Sequence, residues 1–166
     1  MPVRKRFVIH EHHATRLHWD LRLEMGGVFK SWAVPKGPSL NPADKRLAVA
    51  VPDHSLEYGS FEGQLAEGTY GAGEVRIWDD GHYETDIEPE IQLKKGKIVV
   101  TFFGLKLRGR FNLVKSSRGE KDWLLIKSGD HFADEDWQIV MVLDPKTHGR
   151  GKKKISLLSK QRSNQK

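Results

Sequence analysis

The chain has 166 residues and no cysteine, which excludes disulfides, thiolate metal sites and cysteine nucleophiles. Its longest mostly apolar run, "IVVTFFGL", is too short to span a membrane, and the start "MPVRKRFVIHEHH" lacks the apolar stretch of a signal peptide. The net charge of +6 is uneven: residues 145–166 hold eight Lys/Arg and no acid, residues 1–46 nine basic against four acidic groups, and residues 47–144 eleven against eighteen. These features predict a cytoplasmic protein with no membrane association and a polyanionic partner, most simply nucleic acid. One domain over 1–144 is expected, followed by a basic tail over 145–166.

In chain order, short β-rich runs are separated by Gly, Asp and Pro. They are "RLHWDLRLE", "VFKSWAVP", "KRLAVAVP", "GEVRIWD", "HYETDI", "KIVVTFF", "LRGRFNLVK", "DWLLIKS" and "WQIVMVL". So many strands with little helical periodicity predict an all-β barrel or sandwich. Short helical turns are expected near "NPADK", where Asn41 precedes Pro42, and near "ADED".

The first of these runs alternates from Arg16 onward. Arg16, His18, Asp20, Arg22 and Glu24 share one face, and Leu17, Trp19, Leu21 and Leu23 the other. Gly26-Gly27 offers a two-residue hairpin turn, which would set Trp19 opposite Val34, Asp20 opposite Ala33, Leu21 opposite Trp32 and Arg22 opposite Ser31. Small residues then flank the charged ones, in outline the floor of a pocket. Residues two apart on a strand face stand about 7 Å apart, so His18 and Asp20 can converge on one ion, joined by His12 from the preceding segment. Two imidazoles and a carboxylate form a facial ligand set that suits Mn, Fe, Co or Zn. His10, on the same side of an extended segment as His12, is the alternative ligand, and a merely solvated strand face is the alternative to a metal site.

Arg22, Lys36 and Arg46 add cations whose natural partners are phosphate oxygens. In "DHSLEY", His54 could donate a proton or hold a phosphate, and Tyr58 could donate a hydrogen bond. No P-loop, nucleophile elbow or H-E-x-x-H pair is present. The residues themselves therefore describe a β domain with a pocket suited to phosphate esters.

The stretch from Arg6 to Gly81 strongly resembles the 3′-phosphoesterase domain of bacterial DNA ligase D, which also occurs free-standing in bacteria and archaea. The likeness continues more weakly to Asp144. It rests on H-x5-H-x-D-x-R, "KSWAVPKGP", "KRLAV", "DH-x3-Y" and "EG-x-YGAG". The resemblance implies a compact, closed or nearly closed antiparallel β-barrel with short helical turns and a polar active-site groove. It implies a manganese-dependent enzyme, with Co²⁺ or Zn²⁺ as substitutes, that heals DNA 3′ ends in nonhomologous end joining. A phosphodiesterase step removes a terminal ribonucleoside and a phosphomonoesterase step leaves a ligatable 3′-hydroxyl. The alternative is a non-catalytic module that only binds 3′-phosphate ends. By motif, the metal ligands are His12, His18 and Asp20. Arg22, Lys36, Arg46, His54 and Tyr58 match catalytic positions, with Arg22, Arg46 and His54 on the substrate phosphate. The partners implied are DNA or DNA/RNA primer-template 3′ ends, with a separate DNA ligase, polymerase and Ku acting in trans. Glu11 stands where relatives usually carry Lys, and would place a negative charge beside His12.

Overall fold

The computed structural model describes residues 2–66 and 72–143. Its strands are β1 (Val3–His13), β2 (Leu17–Met25), β3 (Val28–Val34), β4 (Arg46–His54), β5 (Gly63–Leu65), β6 (Gly73–Thr85), β7 (Lys97–Phe103), β8 (Arg108–Lys115) and β9 (Asp122–Lys127). Every pairing is antiparallel, in the order β1-β2-β3-β4-β9-β8-β7-β6, and β6 pairs back onto β1 to close an eight-stranded barrel. β5 adds to the start of β6, opposite Gly73–Val75, where β7 does not reach. Closure removes the exposed edges that an open sheet would present.

The β2–β3 hairpin has the register that alternation and the glycine pair predict: Trp19 opposite Val34, Asp20 opposite Ala33, Leu21 opposite Trp32, Arg22 opposite Ser31. Gly26 and Gly27 both take left-handed φ values, 63° and 81°, as a type I′ turn requires. Trp19, Leu21, Leu23, Trp32 and Val34 face the barrel interior, with Ala48, Ile98, Phe102, Phe111, Trp123 and Leu125 from the other strands. Burying a side chain such as Leu21 contributes roughly 1.5–3 kcal/mol.

Three expectations are corrected. First, the segment ahead of β2 is itself a long strand, β1, with every side chain from Phe7 to His12 buried. A strand covered on both sides carries no alternation to read. Second, "GEVRIWD" and "HYETDI" are one strand, β6. The "DDG" between them is not a turn, because the Asp79 carboxylate accepts the amides of Leu105, Lys106 and Leu107 at 3.0, 3.0 and 2.7 Å and braces the β7–β8 connection. At Gly81 a Cβ would meet the Phe103 carbonyl at 2.3 Å, so only glycine lets the strands pass. Third, "WQIVMVL" forms no strand. Trp137, Ile139, Met141 and Val142 pack against the core as an irregular segment, pinned where Trp137 Nε1 donates to the Pro38 carbonyl at 3.0 Å and Trp78 Nε1 to the Val140 carbonyl at 2.9 Å.

"NPADK" and "ADED" make turns rather than helical turns, and the Asn41 side chain and carbonyl take the amides of Ala43 and Asp44. Among the described residues the single α-helix is α1 (Pro89–Lys95), with proline in its first turn and Gly96 closing it at φ 82°. A 3-10 turn covers Leu56–Ser60. The tail expected over 145–166 lies outside the described residues. No helix among the described residues is long and apolar enough to cross a membrane.

Candidate active site

The polar residues of β1–β3 occupy the outer face of the barrel wall. The ladder sets His12 opposite His18, His10 opposite Asp20, Asp20 opposite Ala33 and Arg22 opposite Ser31. The chain from β4 through the 3-10 turn to β5 folds over this face. The result is a cleft of about 380 Å³ lined by His12, His18, Asp20, Arg22, Asp53, His54 and Tyr58, with Ala33, Val51, Pro52 and Leu65 as its apolar neighbours. The small residues opposite Asp20 and Arg22 leave the volume that the sequence pattern anticipated.

At one end of the cleft, ligand atoms of His12, His18 and Asp20 all lie within 4.8 Å of one another. His18 Nε2 is 3.2 Å from Asp20 Oδ1, and His12 Nδ1 is 3.5 Å from Asp20 Oδ2. His18 Nδ1 is held by the Arg16 carbonyl at 3.1 Å, which leaves Nε2 free to ligate. That is the outer-shell anchoring a metal-bound imidazole uses. The donor set therefore fits a divalent transition metal ion.

His10 is not among these groups. Arg22 Nε donates to its Nδ1 at 2.9 Å and its Nε2 lies 3.1 Å from the Phe61 carbonyl, so both ring nitrogens are occupied. Burial, with the Arg22 charge beside it, lowers the His10 pKa to about 3. Arg22 is only 2% exposed, and its guanidinium also donates to Ser31 Oγ at 3.0 Å and Asp20 Oδ2 at 3.3 Å. Three of its five N–H bonds are committed by these contacts, which leaves two for an incoming anion.

His54 and Tyr58 stack at 4.3 Å between ring centres, and Arg22 lies over the Tyr58 ring at 5.0 Å. Burial and the Arg22 charge lower the His54 pKa, and burial raises that of Tyr58. At neutral pH the cleft thus offers a neutral imidazole and a protonated phenol. Arg46 and Lys36 do not line it. Arg46 lies two residues before inward-facing Ala48, on the opposite side of β4 from Val51, and sits 3.5 Å from Asp44 Oδ2. Lys36 is exposed in the turn after β3.

Glu11 also departs from expectation. It faces away from His12 and is fully buried. Its carboxylate accepts the Val142 and Leu143 amides at 2.8 and 2.9 Å and pairs with His13 Nε2 at 2.7 Å. The negative charge fastens the end of the described chain rather than adding to the metal centre. Sequence reasoning missed the roles of His10, Ser31 and Glu11. Ser31 carries a strand-face signal, His10 and Glu11 lie on the continuously buried β1 and carry none, and only the completed β1–β2–β3 ladder shows what each faces.

The triad implies a definite pH response. Burial opposes charge on His18, yet the Asp20 hydrogen bond and charge outweigh it and raise the His18 pKa above the ordinary 6.5. A histidine raised in the folded state stabilises the metal-free fold below pH 6.5, and that contribution is lost as pH rises through the folded-state pKa. A metal must displace this proton, so affinity should fall about tenfold for each pH unit below that pKa. Mn²⁺ titrations followed by calorimetry between about pH 5.5 and 7.5 would show this slope, and a flat profile on the acid side would refute it.

The family model for the DNA Ligase D 3'-phosphoesterase domain matches residues 10–115. The multifunctional non-homologous end joining protein LigD of Pseudomonas aeruginosa is 48% identical over 127 residues, covering 75% of this chain and 15% of that protein. LigD of Mycolicibacterium smegmatis is 45% identical over 131 residues, covering 75% of this chain and 17% of its own length. In Mycobacterium tuberculosis the figure is 45% over 118 residues, 71% of this chain and 15% of the relative. The chain thus spans only about a sixth of these relatives. The matched span contains the whole β1–β4 wall from His10 onward and the segment folded over it. Both the match and the cleft it encloses lead to one conclusion: this chain belongs to the DNA ligase D 3′-phosphoesterase domain family.

Proposed function

We propose that the protein is a metal-dependent phosphoesterase that heals DNA 3′ ends. It removes a terminal ribonucleoside by diester cleavage and a 3′-phosphate by monoester cleavage, leaving a 3′-hydroxyl for ligation. The observation that carries this reading is one cleft holding the His12–His18–Asp20 cluster beside a buried Arg22 with three of its five N–H bonds tethered, with His54 and Tyr58 on the facing wall.

Held by His12, His18 and Asp20, a divalent ion, with Mn²⁺ favoured and Co²⁺ or Zn²⁺ as substitutes, would supply Lewis acidity at a phosphate oxygen. The remaining work falls to the chain. The two uncommitted N–H bonds of Arg22 meet non-bridging phosphate oxygens, whose charge grows toward the transition state. Tyr58, kept protonated by burial, donates a hydrogen bond to the same group. His54 enters neutral. An arriving phosphate dianion favours its protonation, which places a donor beside the scissile phosphate. Ala33, Val51 and Leu65 keep this end of the cleft poor in water and strengthen these interactions. Lys36, exposed outside the cleft, would meet the strand flanking the scissile phosphate rather than the phosphate itself, whereas Arg46, on the inward side of β4, would make no contact with the substrate. In the cell the substrate would be a DNA or DNA/RNA primer-template end, with ligase, polymerase and Ku supplied in trans.

A 5′-labelled primer-template ending in a 3′-phosphate or a 3′-ribonucleotide tests this directly. With Mn²⁺ the primer should convert to the 3′-hydroxyl form, and EDTA should stop it. Parallel reactions with Co²⁺, Zn²⁺ and Mg²⁺ rank the metals. Binding of the phosphorylated end without conversion under any metal would leave only an end-binding module.

A further inference from the structure

Arg22 cannot orient itself. It rises from β2 on the cleft face, and a guanidinium with free rotamers would fold onto Asp20, two residues away on the same side of the strand. Two neutral acceptors limit this to the single contact of Nη2 with Asp20 Oδ2 at 3.3 Å. Ser31 Oγ, across the β2–β3 ladder, takes Nη1 at 3.0 Å while donating to the Phe29 carbonyl at 3.1 Å. His10 Nδ1, across the β1–β2 ladder, takes Nε at 2.9 Å. His10 is fully buried, and its Nε2 meets the Phe61 carbonyl at 3.1 Å. An Nδ1 that accepts from Arg22 carries no proton, so Nε2 must be the donor to Phe61. One neutral tautomer satisfies both contacts.

We infer that His10 is a positioning residue, which locks Arg22 against the cleft wall and ties it to the 3-10 segment carrying Tyr58. The inference rests on the phosphoesterase reading for its consequence, but not for its geometry. Phe61 follows the 3-10 turn directly, and the His10 ring also meets Tyr58 edge-on at 5.3 Å between centres. His10 thus joins β1, the guanidinium and the segment folded over the site. Of the groups that could fill this role, only a flat side chain with an acceptor on one edge and a donor on the other makes both contacts. A glutamine side chain can do so, through its carbonyl oxygen and its amide N–H. Leucine fills similar space and can make neither.

The test compares His10→Gln and His10→Leu in the full chain with Mn²⁺ bound, using three readouts. These are Mn²⁺ affinity, affinity for inorganic phosphate, and kcat and KM for 3′-phosphate release from a primer-template. Both variants should keep parental Mn²⁺ affinity, because His10 is not a ligand. His10→Leu should weaken phosphate binding about tenfold and lower kcat a further 10–100-fold, the scale typical of outer-shell partners. His10→Gln should stay within about threefold of the parent in both. Parental kcat/KM and phosphate affinity in His10→Leu would overturn the inference, as would equal losses in both variants at unchanged melting temperature. Loss of Mn²⁺ affinity would overturn it by making His10 a ligand. If the parent releases no phosphate but His10→Leu alone loses phosphate binding, the positioning role stands and the enzymatic reading falls. If the parent is active and His10→Leu equally so, the reverse holds.

Discussion

Replacing His18 by Ala should abolish both 3′-end activities while leaving the barrel intact. His18 presents Nε2 to Asp20 at 3.2 Å and is held from behind by the Arg16 carbonyl, so it contributes both a ligand atom and its aim. Outer-shell partners of a metal site are typically worth roughly 10–100-fold, and losing a ligand itself should cost more than that. Folding should be little affected. His18 lies at the cleft end of β2 with 22% of its side chain exposed, and its neighbours Trp19 and Leu17 carry the packing. Losing the hydrogen bond to Asp20 should cost about 1 kcal/mol, a shift of roughly 2–4 °C in Tm. Asp20 keeps His12 and Arg22 as partners and is not left unpaired. The informative measurement pairs primer conversion with Mn²⁺-dependent melting. The parent should gain Tm on adding Mn²⁺ and the variant should not. A His18→Ala protein that releases 3′-phosphate at the parental rate would remove the metal centre from the mechanism.

The hairpin that supplies His18, Asp20 and Arg22 was legible because three signals agreed: strict alternation, a Gly-Gly turn, and small partners opposite the charges. β1 was not legible. Phe7 and Ile9 enter the core while Val8, His10 and His12 enter the covered site, so the strand reads as continuous burial rather than a period of two. The same ambiguity left His10 and His12 as rival ligands. Their separation depends on the β1–β2 register, which sets His12 opposite His18 but His10 opposite Asp20, within reach of Arg22. "WQIVMVL" misleads in the opposite sense. Its apolar residues are buried, but by capping the barrel, and its hydrogen bonds go to Glu11, Trp78 and Pro38 rather than to a ladder. Arg46 shows the limit of motif reasoning: its place on β4 gives it the parity of Ala48, and a spacing pattern does not reveal which side of a strand faces a cleft.

Arg22→Lys should fall at least about a hundredfold in activity, the lower end of what losing one preorganised donor to a developing oxyanion costs. The substitution keeps the charge, so a cleft needing only a cation would tolerate it. What it removes is the fork. Nε to His10, Nη1 to Ser31 and Nη2 to Asp20 hold the plane of the guanidinium, and the two remaining N–H bonds inherit their direction from those three. An ammonium has three rotating donors and would satisfy Asp20 or Ser31 at the expense of the phosphate. Arg22→Met separates charge from shape. It fills similar space at a site only 2% exposed, and removes the cation that helps hold the Asp20 carboxyl well below its usual range. Burial opposes that ionisation, and the His12 and His18 hydrogen bonds sustain it even without Arg22. Asp20 in Arg22→Met should therefore stay ionised at neutral pH. With the neighbouring positive charge gone, Mn²⁺ should bind as tightly as in the parent or more so, while activity is lost. Activity and metal affinity thus part company in Arg22→Met, whereas His18→Ala loses both together. An Arg22→Lys enzyme within threefold of the parent would show that charge alone suffices, and would leave the tethered guanidinium without a catalytic purpose.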